Sequence, residues 1–463
     1  MTPDQQILWN QSKQFDLDSP LSDYGFSVRL AKENYWTRNF TEQAILEYKK
    51  FMFLAATSDR MVSPSPVVDT VWHQHLIFTQ SYQDFCNLLG KQIQHIPSTH
   101  NREDFQKFQQ AKERTSILYE HFFGKQPRSI WHYTNIHESL NLQKAKHKLR
   151  SFIIIGICAF IVLTIPFYFL LKPLYIILDT AYFIPAFILL TSITFLGLEW
   201  YNLSQLKRIT DAFDRESFIY NLQPSELIYL ETNKLLHVIH GVVNELIQNK
   251  TILVLSNNTL ELSKNREPEK SIEQLHVTST LHLLGRTTYP KLVYQLIQKP
   301  IFRNIVDCME AFKKHFLKSL KFGKLFYVNF GALALLLLLS FTRLITGLSR
   351  DKPVAFLVLI ILVLGILIYF YLNRLTRLAF TKMIPDRYRE EIVPSLEDKN
   401  APAWLYFLLG PAVLTASLAA LLTYFNNTHP TGGTGNSNRG SCGTGCGSSC
   451  GSSCSSCGGC GGC

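Results

Sequence analysis

What this chain of 463 residues has little of sets the first limits on what it can be. None of its five long apolar runs carries an ionisable residue near its centre. Proton relays and ion pathways need such residues inside a bilayer, so pumping and ion transport are disfavoured. The opening MTPDQQILWNQSKQFDLD lacks a basic start followed by an apolar core, which predicts no signal peptide. Basic residues are scarce between Pro224 and Lys264, where three lysines (Lys234, Lys250, Lys264) meet four acids (Glu226, Glu231, Glu245, Glu261). That balance lacks the electrostatic footprint a phosphate backbone requires, so no nucleic-acid partner is expected. No catalytic motif stands out, and function must be sought in clusters of residues.

The apolar runs occupy residues 152–171, 181–200, 325–342, 353–372 and 403–425. At about 1.5 Å rise per residue, a twenty-residue run matches a hydrocarbon core of about 30 Å. The lipid bilayer is therefore the first partner. The runs predict two transmembrane hairpins, 152–200 and 325–372, and a fifth span, 403–425, kinked at Gly410-Pro411. Seventeen Lys and Arg flank the side bearing the N-terminal region and five flank the other. By the positive-inside rule the N-terminus is cytoplasmic, and five crossings would carry the C-terminus outside.

The polar regions predict a mainly α protein. Residues 1–135 read as an all-α cytoplasmic domain, with Ile45, Tyr48, Met52 and Ala55 forming an apolar stripe on one helix that starts near Thr41. A second helix is expected from the Ser65-Pro66 cap to Gly90. Residues 136–151 read as a basic helical linker, and 373–402 as a cytoplasmic loop. Residues 201–324 form a cytoplasmic insert: a helix opening at Pro224, another from Lys234 to Gln248, then strands at 251–255 and 259–263 around Ser256-Asn257-Asn258. Helix, helix and ribbon suggest a winged-helix-like module. Residues 426–463 form a tail with twelve Gly and seven Cys after Thr431, too polar to bury a core and expected to be disordered.

Two groups of residues could hold a metal such as zinc or another soft transition metal. The tail offers Cys442, Cys446, Cys450, Cys454, Cys457, Cys460 and Cys463, whose spacing suits chelation or disulfides. The 66–90 helix offers Asp69 and His73 on one face at i, i+4, with His95 or His100 arriving from the following loop. His75 falls on the opposite, apolar face, and on one straight helix Cys86 would stand about 16 Å from it. Both are therefore expected in the core, and the plainer reading of Asp69 and His73 is a hydrogen bond near a helix N-terminus.

The string Pro66-Val-Val-Asp69-Thr-Val-Trp72-His73-Gln-His75-Leu, followed by Tyr82, Cys86, Gly90, His95 and Pro97, resembles the VDxxWHxH signature of the glycine-rich domain-containing protein family of plants and bacteria. The likeness covers roughly residues 20–130 and implies a fold more than a reaction. Residues 135–463 resemble uncharacterised bacterial membrane proteins that end in Gly- and Cys-rich low-complexity sequence. That resemblance implies a bacterial inner membrane. Two functions are expected: a membrane-anchored scaffold that binds protein partners on the cytoplasmic side while its tail is cross-linked, modified or metal-bound, or a tethered metal-dependent enzyme using the VDxxWHxH domain.

Overall fold

A computed structural model describes residues 1–96, 102–146, 148–264 and 268–428. The N-terminal region is α1 (Pro3–Gln14), α2 (Phe26–Asn34), α3 (Arg38–Thr57), α4 (Pro66–Ile77), α5 (Thr79–Leu89), α6 (Arg102–Phe123) and α7 (Arg128–Trp131). Tyr48 and Met52 of the α3 stripe are fully buried, and Ile45 and Ala55 pack against the same core. The expected helix from Pro66 to Leu89 is instead two helices. It breaks at Phe78 (φ −88°, ψ 64°), whose N–H bonds to the His75 carbonyl at 3.0 Å before α5 departs. The Phe78 ring packs edge-on against Phe26, which holds the break in the core.

Residues 136–151 are not a continuous helix. A short 3-10 turn, Ile136–Leu140, gives way to extended chain in which Lys144 bridges Ser319. The Ala145 N–H bonds to the Lys318 carbonyl at 2.8 Å and the Leu320 N–H to the Gln143 carbonyl at 2.7 Å, so the basic linker is tied down by one isolated antiparallel bridge. Helices α8 (Leu149–Ile177) and α9 (Thr180–Asp211) then form the first hairpin.

The insert contains α10 (Pro224–Thr232), α11 (Leu235–Gln248), β1 (Ile252–Val254), β2 (Thr259–Leu262), α12 (Ile272–Leu284), β3 (Thr287–Thr288), α13 (Tyr289–Gln298) and α14 (Pro300–Leu317). The expected ribbon is present, in register Leu253 to Glu261, and β3 adds an antiparallel third strand. The second hairpin is α15 (Leu320–Leu348) and α16 (Ala355–Leu378). Residues 373–402 are mostly helix rather than loop. The α16 axis continues to Ser395 through π-helical turns and α17 (Ile384–Arg387), because Phe380, Ile384, Tyr388 and Val393 bury one face against the insert. The chain ends with α18 (Pro402–Leu409) and α19 (Ala416–Thr428).

Helices α8, α9, α15 and the α16 axis are each long and apolar enough to cross a membrane, while α18 and α19 pass that test only as one pair bent by 55°. Helix α15 is central. Gly156 of α8 lies so close to Phe330 that an added Cβ would stand 2.4 Å from its ring. Asn202 and Asn329 exchange hydrogen bonds of 2.8 and 2.6 Å, and Asn202 donates a third to the Tyr371 hydroxyl, clasping α9, α15 and α16. Arg343, one residue beyond the apolar run 325–342 and so expected in the loop that follows it, lies within α15. It is buried and donates to the Tyr175 and Leu178 carbonyls at the end of α8, neutralising groups that the helix leaves unpaired.

Two hydrophobic cores result. One lies among the crossing helices and includes Phe183, Phe187, Leu333, Leu336 and Leu364. The other is continuous from the N-terminal helices through the insert to α18 and α19. The N-terminal region and the insert are thus one packed unit. Glu226, fully buried, joins them by accepting from the Arg38 N–H at the start of α3 (3.0 Å) and the Gln223 N–H at the start of α10 (2.8 Å). Burial raises its carboxyl to about 7 against the pull of these two donors. Loss of two helix caps sets the expected cost of Glu226→Ala at about 2 kcal/mol. Chemical denaturation of the detergent-purified protein checks it, and an unchanged midpoint would mean that the caps are replaced by water.

Candidate metal centre

Ser65 starts the site. Its hydroxyl accepts from the Val68 N–H at 3.2 Å and donates to the Ile130 carbonyl at 2.7 Å, fixing the first turn of α4 to α7. Asp69 then sits in that first turn, where the helix dipole favours a carboxylate. His73 follows one turn later on the same face, and its Nε2 lies 3.4 Å from Asp69 Oδ2.

The third residue comes from outside the helix. Gly90 ends α5 with φ +68°, a left-handed conformation that reverses the chain. Lys91 then donates to the Ala55 and Ser58 carbonyls at 2.9 and 2.8 Å. The Tyr82 hydroxyl, itself receiving the Trp72 indole N–H at 3.2 Å, donates to the Ile93 carbonyl. These anchors deliver His95 over the Trp72 ring, with centroids 4.6 Å apart. His95 Nε2 reaches Asp69 Oδ1 at 2.9 Å, and its ring centroid is 4.4 Å from that of His73.

One ligand atom from each of Asp69, His73 and His95 falls within 4.8 Å of the others. Among the described residues this is the one cluster of three such side chains so placed. His95 is mostly shielded, Asp69 half-exposed and His73 open to solvent. Asp69, Trp72 and His95 line a cleft of about 630 Å³ whose wall also carries Arg60, Lys91 and Lys112 against the single further acid Asp59. Two imidazoles and a carboxylate suit zinc or non-haem iron, and three protein ligands leave further coordination positions available.

The other histidine of the motif is elsewhere. His75 is fully buried: its Nδ1 lies 2.7 Å from the Tyr48 hydroxyl and its Nε2 3.1 Å from the Ser81 hydroxyl. Burial raises the Tyr48 phenol well above its usual range, so the hydroxyl keeps its proton, and both ring nitrogens of His75 have a hydroxyl partner. Burial also lowers His75 to about 4, which keeps the ring neutral. Because the helix breaks at Phe78, the 16 Å axial separation of His75 and Cys86 does not hold. Phe85 and Tyr82 of α5 pack directly on the His75 ring, and Cys86 is buried in the same core. His100 and the seven tail cysteines, Cys442 to Cys463, lie outside the described residues.

Sequence reasoning missed the basic wall of the cleft. Arg60 lies in the segment just before the Ser65-Pro66 cap and Lys112 on α6, well beyond the motif, and no spacing pattern links either of them to Asp69 or His95. No curated protein and no solved structure matches the chain. Residues 25–144, which contain the whole cluster, match the model of a family described as UCP032817-like, a different family from the glycine-rich domain proteins that the VDxxWHxH string resembles, and over that stretch the chain is similar to it.

Proposed function

We propose that this is a membrane-anchored metal protein whose N-terminal region holds one divalent transition ion on Asp69, His73 and His95. The observation that carries the proposal is the convergence of three ligand atoms within 4.8 Å from two separately anchored segments. A hydrogen-bonded Asp–His pair alone would not require His95. Positions left open on the ion would face the cleft, where Arg60 and Lys112 favour an anionic ligand and a bound water could be activated for hydrolysis. The insert serves as the base that joins this centre to the spans, and its segment from Pro224 to Lys264, with four acids against three lysines, offers little attraction to a phosphate backbone. The likeness to bacterial membrane proteins and the basic flanks support an inner membrane with the centre on the cytoplasmic side. Scaffolding is compatible with the same architecture but gives the three residues no role.

Metal titration of the full chain in detergent tests the proposal. Cobalt(II) substitution is informative because nitrogen and oxygen ligands give only weak visible bands, whereas thiolates add intense charge-transfer absorption. One equivalent of cobalt without a thiolate band, displaced by zinc, is the expected result. Binding that appears only with thiolate absorption would assign the metal to the tail and defeat the proposal.

A further inference from the structure

The apolar run at 403–425 is long enough to cross a bilayer, yet its packing places it elsewhere. Tyr406 and Phe407 of α18 and Leu418 and Leu421 of α19 are buried in the core shared by the N-terminal region and the insert. None of the pair's buried residues belongs to the core among the crossing helices. Helix α18 packs on α10 and α11, and α19 on α13. The insert connects the end of α9 to the start of α15, two span ends on one side of the membrane. Elements docked on it share that side.

The break between the two helices supports the same placement. A non-helical stretch exposed to hydrocarbon would strand peptide groups at several kcal/mol each. Here the insert satisfies them. Asn244 of α11, almost fully buried, accepts from the Thr415 N–H at 2.8 Å and donates to the Val413 carbonyl at 3.3 Å. Gln248, one turn on, donates to the same carbonyl at 3.2 Å. Gly241, one turn before Asn244, leaves room for the Tyr406 ring, which an added Cβ would meet at 2.8 Å. Trp404 stacks on Tyr388, and the Arg389 guanidinium lies 4.9 Å from the Phe407 ring centroid, tying α18 to the end of the α16 axis as well.

We infer that the chain crosses the membrane four times, and that α18 and α19 are a bent clamp on the core at the N-terminal side. Four crossings return the chain to the side it started from. The C-terminal tail then emerges in the compartment of the Asp69–His73–His95 cluster, and Arg439 joins the heavily basic side. If that compartment is the cytoplasm, the tail thiols face a reducing environment, where disulfides do not persist.

Paired reporters on the full chain test the inference. One fluoresces only when it folds in the cytoplasm, and the other is a phosphatase active only outside it. Each is fused before Met1, within the loop after Asp351, and after Cys463. The expected result is that fusions at both termini report one side and those at Asp351 the other. Opposite reports from the two termini would establish an odd number of crossings and overturn the inference.

Discussion

Asp69→Ala is expected to weaken metal binding by more than 100-fold while leaving the fold intact. Removing an outer partner of a metal ligand already costs about 10–100-fold in affinity, and Asp69 would be a ligand itself, lying between both imidazoles at 2.9 and 3.4 Å. Its contribution to stability is small. The side chain is 38% exposed, and exposed pairs of this kind are worth about 0–1 kcal/mol. Competition titration with a chromophoric chelator measures the affinity, and a thermal melt of the same sample measures the fold. An unchanged affinity would remove the centre, and a collapsed melt would reassign Asp69 to structure.

His75→Ala should do the reverse: metal binding is retained and stability falls by about 3 kcal/mol or more. The substitution opens a cavity among Tyr48, Tyr82 and Phe85 and leaves the buried Tyr48 hydroxyl without its partner. The same residue makes the fold sensitive to acid. Its folded pKa is depressed from 6.5 to about 4, so the unfolded chain binds the proton more readily over that window. Stability that His75 contributes above pH 6.5 is therefore lost as pH falls toward 4, by about 2 kcal/mol at pH 5. Glu226 acts in the opposite direction: its carboxyl is raised to about 7, so its contribution is present below pH 4.5 and is lost as pH rises through 7. The informative quantity is thus the difference between the two proteins. Wild type should lose about 2 kcal/mol more than His75→Ala between pH 7 and pH 5. Parallel pH profiles for the two would show that His75 is not a buried neutral ring.

Helical periodicity carried the parts of this architecture that depend on local pattern. The exposed His73 and the buried His75 follow from 3.6 residues per turn, and so does the Asp69–His73 pair. The arrival of His95 was legible only as one of two candidates, because the turn at Gly90 fixes a direction but not a distance. The break at Phe78 was not legible. Ser65-Pro66 and Gly90 are sound helix limits, and the residues between them keep an unbroken apolar rhythm because both halves bury their faces in one core. Long-range packing also decided the fate of the 403–425 run. Its composition meets the requirements of a span, and the contacts that argue for a different placement come mainly from Asn244, Gln248 and Gly241, more than 150 residues earlier in the chain. Glu226 is likewise silent in sequence, since a capping glutamate is ordinary in the first turn of a helix and its second partner, Arg38, lies 188 positions away.

The core shared by the N-terminal helices and the insert imposes an order on biosynthesis. Val28, Trp36 and Arg38 face partners between Glu226 and Ile305, which leave the ribosome only after the first membrane hairpin. At a synthesis rate of about 5–20 residues per second, the N-terminal helices wait on the order of 10–50 s for them. During that interval they display an unfinished apolar face beside the inserting α8–α9 pair. Nascent chains should therefore engage holdase chaperones until about residue 310 has been translated, and a stall placed before that point should leave them bound.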